Sequence, residues 1–574
     1  MTMTETSENL EHLISLLGGR GKFQTSVHIL AAVGCYLSIT FNHLVMAFHG
    51  SPVSHTCMAG VNQSDLAVNA TPKTEFNLTN VQQHVTNITH SKCFTTVSYS
   101  DGHDDVIDCT SGQWEYFPKY GERNIVSEFD LVCSAEYLNS LATTIYFTGV
   151  MVGGLVFGDL ADRFGRLPVM LITLYASVMF GLISAFSVNY VMFVVLRFIV
   201  GIFTQGVQMA TYTLIIEMYP PKYRPYAGVG TDLVFSMAVI VLSGLAYLMP
   251  HWRHLQIAIS VLPLATVFYA WYLPESLRWL VIKGNTERAE KLLRRICNIN
   301  KLRFPAETWN LLEKDTAIQE ETTQQYNVTH LFHTWSLTKA TVICSYLCSN
   351  HSFSAFAHLI SSGANGRGDV VMAVTYYGVT FKTSSLPGSI YMNFFISGVM
   401  EVIVCLITIY LLNRFGRKKP MFGCLVSAGV LCLACGVIGQ YTSGLGHLIT
   451  ALALAGKCFS GAIFVTFFVY ATELYPTVIR NIGLGFGLVW ARLGGVLAPQ
   501  FNQWSKALLG FDAIYVFGVL SLVGGFAILL LPETHRRRLP DVIEQDIQVD
   551  KSGMDVEDVE DVEYGEDAVR EDLL

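Results

Sequence analysis

The chain has 574 residues, 51% of them hydrophobic and only 14% charged, with a mean hydropathy of +0.41. That composition excludes a water-soluble globule, and no nucleic-acid partner is expected of it. The net charge of −8 is unevenly spread, because Asp541 to Leu574 holds fourteen acids and two bases, a balance of −12 that leaves the remainder at about +4.

A hydrocarbon core of about 30 Å takes roughly 20 apolar residues of helix to cross, and runs of that kind set the expected elements. Residues 1–23 form an N-terminal segment with no signal peptide, so the first crossing, near 24–48, serves as the address. The loop at 49–136 follows. It carries Cys57, Cys93, Cys109 and Cys133, with Asn-x-Ser/Thr sequons at Asn62, Asn69, Asn77 and Asn87, the second weakened by Pro72. Both features suit an oxidising, glycosylating compartment, and the four cysteines allow three pairings. The other nine cysteines sit in or beside apolar helices and read as small buried hydrophobes.

Crossings two to six are expected near 138–157, 167–187, 190–216, 229–249 and 255–273, completing a six-helix bundle over 24–273. A linker with amphipathic helices spans 274–336, and a second bundle spans 337–531. Its crossings fall near 338–380, 390–412, 420–440, 447–470, 481–503 and 513–531. Twelve transmembrane helices result, the seventh interrupted by a polar, glycine-bearing insert at about 349–369 that cannot lie in lipid. The insert is either looped into an aqueous face or an artefact of splicing or gene modelling, and the artefact is the better reading. Residues 532–574 form an acidic tail that reads as a disordered solvated end, with docking of a cytosolic partner as the alternative.

Basic residues cluster in alternate loops at Arg163 and Arg166, Lys222 and Arg224, Lys283 to Arg303, Arg414 to Lys419, Arg480, and Arg536 to Arg538. The positive-inside rule makes those loops cytoplasmic and puts both termini inside. The sequence also repeats itself. DRFGR at Asp162–Arg166 returns as NRFGR at Asn413–Arg417; Glu217-Met-Tyr-Pro to Arg224 returns as Glu473-Leu-Tyr-Pro to Arg480; LPES at 273–276 returns as LPET at 531–534. One order at nearly one spacing means that the two bundles are copies. All three motifs fall at one face, where Arg–carboxylate pairs can form in one conformational state and break in another. Asp162, Arg163, Arg166, Glu217, Arg224 and Glu275, with Arg414, Arg417, Glu473, Arg480 and Glu533, are therefore gating candidates. Asn413 in place of an acid points to a weaker second latch.

GDLADRFGRLP and LLNRFGRKKP resemble the loop signature of the major facilitator superfamily. The long first loop ending in FDLVC, LPESLRWLVIKGNTERAEKLL, YATELYPTVIRNIG and the final LPET narrow the resemblance to solute carrier family 22, the organic cation, anion and carnitine transporters. The resemblance implies an all-α major facilitator fold of two six-helix bundles, a multi-pass location in the plasma membrane, and transport of small organic ions by alternating access. Against that pattern about twenty extra residues stand in the seventh crossing.

A charge at mid-bilayer costs at least about 2.5–3.5 kcal/mol, so one that persists should face a wet cavity or a partner. Asp232, Glu401, Lys457 and Arg492 stand at membrane depth. At about 1.5 Å per residue, Arg492 and Glu401 lie near the midplane, with Lys457 and Asp232 further from it. The resemblance places an acid like Glu401 in cation and carnitine carriers and an arginine like Arg492 in anion and carnitine carriers. It also likens Lys457 in AGKCFSGAIF and Asn42 in ITFNHL to carnitine-type segments. Both signs in one cavity suggest a zwitterion, with Tyr212, Phe235, Phe464, Phe468 and Trp490 available to cage a quaternary ammonium. A structural Glu401–Arg492 salt bridge is the plainer alternative. Gln208 is a lining candidate, although interhelical hydrogen bonding is the simpler role for it, Gln205 and Arg197.

No phosphate-binding loop, HExxH or G-x-S-x-G elbow is present, so neither an enzyme nor a bound cofactor or metal is expected. The expected partners are a small organic ion and the bilayer. Zwitterion or organic cation transport leads, organic anion transport is the alternative, and a non-transporting scaffold is the rival of another class. Sodium coupling and exchange are both open.

Overall fold

Backbone amides in lipid have no water to bond, so apolar runs fold as helices that satisfy themselves internally. The computed structural model describes residues 3–17, 21–58, 85–99, 103–220, 223–268, 272–310, 332, 335–349, 388–441, 445–475, 496 and 513–534. Among these, eight helices are long and apolar enough to cross a membrane: Lys22–His49, Cys133–Phe164, Arg166–Ser184, Tyr190–Glu217, Tyr226–Leu248, Ile390–Leu412, Lys418–Gln440 and Gly446–Ile463.

The first half opens with α1 (Met3–Leu16), α2 (Lys22–Leu44) and the short α3 (Met46–His49). Leu10, Leu13 and Ile14 of α1, with Leu17 just past its end, repeat at helical spacing and are buried in the cluster that also holds Leu280, Leu293 and Ile296. The N-terminal segment is thus a docked amphipathic helix. The first loop folds into a small β-module. β1 (Ser54–Cys57) pairs antiparallel with β5 (Trp114–Phe117), and β2 (Val85–His90), β3 (Phe94–Tyr99) and β4 (Asp104–Asp108) form a second antiparallel sheet. Disulfides Cys57–Cys109 and Cys93–Cys133 select one of the three pairings. Asn87 lies exposed on β2; the sequons at Asn62, Asn69 and Asn77 lie outside the described residues.

After α4 (Ile125–Glu128) come α5 (Tyr137–Phe164), α6 (Arg166–Ser184), α7 (Tyr190–Glu217), α8 (Arg224–Leu248) and α9 (Trp252–Val261). Gly149 and Gly153 of α5 face the Phe198 and Ile202 carbonyls of α7, and Gly201 of α7 faces the Tyr146 carbonyl, so small residues let these two helices touch along their backbones. The sixth crossing is not one α-helix, because α9 gives way at Leu262 to a 3-10 segment, Leu262–Phe268. Pro263 has no N–H to continue the ladder. The stretch that follows holds α10 (Leu277–Ile282) and α11 (Thr286–Asn300).

In the second half α12 (Trp335–Ser349), α13 (Ile390–Phe415), α14 (Lys418–Tyr441), α15 (Gly446–Leu474) and α16 (Ala513–Ile528) are described. The insert at about 349–369 and all of the eleventh crossing except Val496 lie outside the described residues. Among the described residues, the halves meet chiefly where α8 packs on α13. Gly398 has no side chain there, which admits the backbone of Ser236 and Ile240. The β-module stands at one end of the helices, the loop face, and the repeated arginine motifs at the other, the motif face.

Candidate functional site

The motif face is built twice. In both copies the helix before RFGR stops at a glycine with positive φ, Gly165 at +104° and Gly416 at +83°, a conformation that disfavours any side chain. Over each glycine sits a carboxylate that a Cβ would strike, Glu275 over Gly165 and Glu533 over Gly416. Glu275 accepts the amides of Arg166 at 3.0 Å and Leu167 at 3.2 Å; Glu533 accepts those of Arg417 at 2.9 Å and Lys418 at 3.1 Å. These are the orphan donors of a helix start, where a carboxylate also meets the favourable end of the dipole. Burial pushes the Glu275 carboxyl up, against the backbone hydrogen bonds from Ser276, Leu167 and Arg166 that pull it down.

The arginine that follows each glycine turns inward. Arg166 Nη2 lies 3.0 Å from Glu217 Oε1 and 2.8 Å from Asp162, while Nη1 donates to the Ala161 carbonyl. Arg417 donates through Nε and Nη2 to Glu473, the shortest contact being 2.7 Å, and Nη1 reaches the Leu412 carbonyl. Thr534 Oγ1 adds a 2.7 Å bond to Glu473. Among the described residues, each arginine therefore pairs inside its own half and braces three helix ends of that half. Arg224 instead reaches Glu11 of α1 at 3.2 Å. Arg163 pairs with Asp159 at the surface, and Arg414 approaches the Tyr410 hydroxyl. Arg480 and the side chain of Asn413 lie outside the described residues.

The membrane interior holds a second charged group. Lys457 Nζ lies 3.0 Å from Glu401 Oε1, and the two side chains are 0% and 5% exposed. Lys457 also donates to Ser397 Oγ at 2.6 Å, one helical turn from Glu401 on α13, and sits 5.7 Å from the Phe394 ring centre. Glu401 thus has a lysine partner rather than being left to a ligand alone; the Arg492 and Trp490 positions that would test the other pairing are outside the described residues. Phe464 and Phe468 lie on α15 with side chains undescribed.

Asp232 is different. Val229, Asp232 and Ser236 share one face of α8 by their spacing, and that face meets α13: Val229 packs with Cys405, and Ser236 Oγ lies 3.9 Å from the Cys405 thiol. Cys405 is within electrostatic reach of both the Asp232 and Glu401 carboxylates, and Tyr212 of Asp232. Asp232 is half-buried and, among the described residues, has no ion-pair partner. Among the described residues, the crossing of the halves therefore holds two acids and one lysine.

Asn42 is buried; its side chain donates to the Ser38 carbonyl and its own carbonyl accepts Arg197 at 2.9 Å. Gln208 and Tyr212 line α7, half-buried. Arg197 is fully buried 4.2 Å over the Tyr146 ring, a cation–π contact that sequence reasoning did not foresee.

The chain resembles solved sugar carriers in fold. The inward-open xylose transporter XylE from E. coli superposes with a TM-score of 0.60 at 16% identity, covering 90% of this chain and 98% of that one. That likeness shows a shared fold. The model for "Sugar (and other) transporter" proteins matches residues 63–545. "Organic cation transporter protein" of Drosophila melanogaster is 32% identical over 73% of each chain, "Solute carrier family 22 member 13" of Homo sapiens 32% over 77% of this chain and 74% of that one, and "Organic anion transporter 3" of Oryctolagus cuniculus 30% over 93% and 92%. The chain belongs to the sugar (and other) transporter family and, within it, to the organic-ion carriers of solute carrier family 22. It is a multi-pass membrane transporter and not an enzyme.

Proposed function

We propose that this protein carries small organic ions with a cationic centre across the plasma membrane by alternating access, with both termini and the motif face in the cytosol. The observation that carries the substrate class is Asp232, an acid without an ion-pair partner among the described residues, beside a Glu401–Lys457 pair that is already balanced. A quaternary ammonium carries charge without hydrogen-bond donors, so it is held by a carboxylate and an aromatic face, here Asp232 and Tyr212. If Arg492 adds a guanidinium to the same cavity, the preferred substrate becomes a zwitterion of the carnitine or betaine kind, its carboxylate on that fork. The orientation rests on the two disulfides, which belong in an oxidising space, and on the basic loops at the opposite face.

Organic anion transport is the second reading, favoured by the fully buried Lys457 and by the relative named for that activity. Uptake of tetraethylammonium, carnitine and benzoate by cells with the protein at their surface separates the readings, and repeating the panel without sodium separates symport from exchange. Uptake of benzoate alone contradicts the cation reading; uptake of none supports a scaffold. Arg492→Ala is expected to abolish carnitine uptake and spare tetraethylammonium.

A further inference from the structure

The linker helix α11 has two unlike sides. Ala289, Leu292, Leu293, Ile296 and Cys297 recur at helical spacing and are buried in the cluster that holds Leu13 and Ile14 of α1. Because protein covers that apolar side, α11 is not a helix that lays its oily face into lipid. Its other side is basic. Lys283 to Arg303 holds seven bases and two acids, a balance of +5. Arg288, Lys291 and Arg294 follow one another at three-residue spacing along the exposed side. Lys291 pairs with Glu287 and Arg294 with Glu290, but these are surface pairs one turn apart, which contribute little and exchange readily. Among the described residues, Lys283, Arg288, Lys301 and Arg303 are exposed and have no ion-pair partner.

The chain itself carries the complement. Thr534, the last described residue, lies at the same motif face, where its hydroxyl bonds Glu473. Past it, Asp555 to Asp567 places eight acids and no base in thirteen positions. Twenty-one residues lead from Thr534 to Asp555. At about 3.3 Å each they reach up to roughly 70 Å, against a radius of gyration of about 25 Å for a folded chain of this length. Arg536 to Arg538 supply three charges on the way and cannot balance the acidic run alone.

We propose that the basic side of α11 is the docking surface for this chain's own acidic tail, residues 555–567, an intramolecular contact that masks the helix from other acidic partners at the motif face. Charge sets the fit, eight acids against a balance of +5. The tether sets the occupancy. An attached segment meets its site at an effective concentration on the order of 1 mM, so a contact with an intrinsic Kd of about 0.1 mM is roughly 90% formed. Salt opposes such an exposed contact, because the Debye length falls from about 8 Å at physiological ionic strength to about 3 Å at 1 M.

The test is zero-length carbodiimide cross-linking of the purified full-length protein in phosphatidylcholine nanodiscs, which carry no anionic lipid, with the linked peptides mapped. Its readout does not depend on which substrate is carried. The acids of 555–567 are expected to link to Lys283 and Lys301, with the yield falling roughly fivefold in about 1 M NaCl. Arg288→Glu with Lys291→Glu and Arg294→Glu is expected to lower the yield by roughly as much. Replacing the eight tail acids by lysine in that triple variant is expected to restore the link with its polarity reversed, tail amines now joined to the introduced carboxylates, a gain that misfolding cannot mimic. Links confined to the tail, links to Lys22 or Lys419 in place of α11, or links between two copies of the chain would overturn the proposal. So would a yield indifferent to salt or to the triple variant, or a link lost on adding phosphatidylserine, which would make lipid the occupant.

Discussion

Removing Lys457 is expected to harm the protein more than removing Lys457 and Glu401 together. The two charges are 3.0 Å apart and essentially sealed from solvent, which at an effective dielectric near 20 corresponds to roughly 5 kcal/mol of direct attraction. Lys457→Met takes the lysine away from the buried Glu401 carboxylate, and removing one member of a buried pair costs about 3–5 kcal/mol, while a balanced apolar replacement of a buried pair is often close to neutral. At about 1 °C per kcal/mol for a chain of 574 residues, the single variant should unfold roughly 3–5 °C lower in detergent. Glu401→Gln with Lys457→Met should recover most of that, since Ser397 and Phe394 can accommodate an uncharged neighbour. Thermal unfolding of wild type, both single variants and the double variant closes the mutant cycle. A double variant as unstable as the sum of the singles would show that the two charges do not depend on each other, and the balanced pair on which the substrate argument rests would be lost.

The two motif copies should respond alike: Arg166→Gln and Arg417→Gln are each expected to cut uptake and surface delivery severely, whereas Arg163→Gln, whose partner Asp159 is solvent-exposed, should change stability by no more than about 0.5 kcal/mol. Non-reducing peptide maps should show Cys57 joined to Cys109 and Cys93 to Cys133, and loss of either bridge should cost roughly 2–4 kcal/mol. Burial raises the Glu128 carboxyl, but hydrogen bonds from Arg253 and Trp252 outweigh it and hold the group below its ordinary 4.5. A folded value below the unfolded one gives stability that is present above pH 4.5 and lost as pH falls through the folded value. A thermal-stability titration of the wild type should show that acid step, and Glu128→Gln should lack it.

The fold was legible because lipid enforces long apolar helices and because duplicated motifs date from one ancestral half. The RFGR turns showed where the two halves correspond, and the glycine, arginine and carboxylate of each turn occupy matching places at Gly165 and Gly416. Partner choice was less legible. Counting residues set Lys457 further from the midplane than Glu401, and only the rotation of α13 against α15 decides that they touch, because rotation is set by packing of both helices at once. The same limit hid the Arg197–Tyr146 contact. The β-module was legible only as cysteines and sequons, because short strands held by disulfides carry little periodic signal. The helical α1 was missed, although Leu10, Leu13, Ile14 and Leu17 have the spacing of one buried face.

The central claim is that a cationic substrate group meets Asp232 where α8 crosses α13. Tetraethylammonium uptake into vesicles containing wild type, Asp232→Asn or Asp232→Glu tests it most directly. The account predicts that Asp232→Asn raises KM at least tenfold, about 1.4 kcal/mol of binding, with normal insertion, and that Asp232→Glu restores much of the affinity. Equal KM for all three proteins would contradict it.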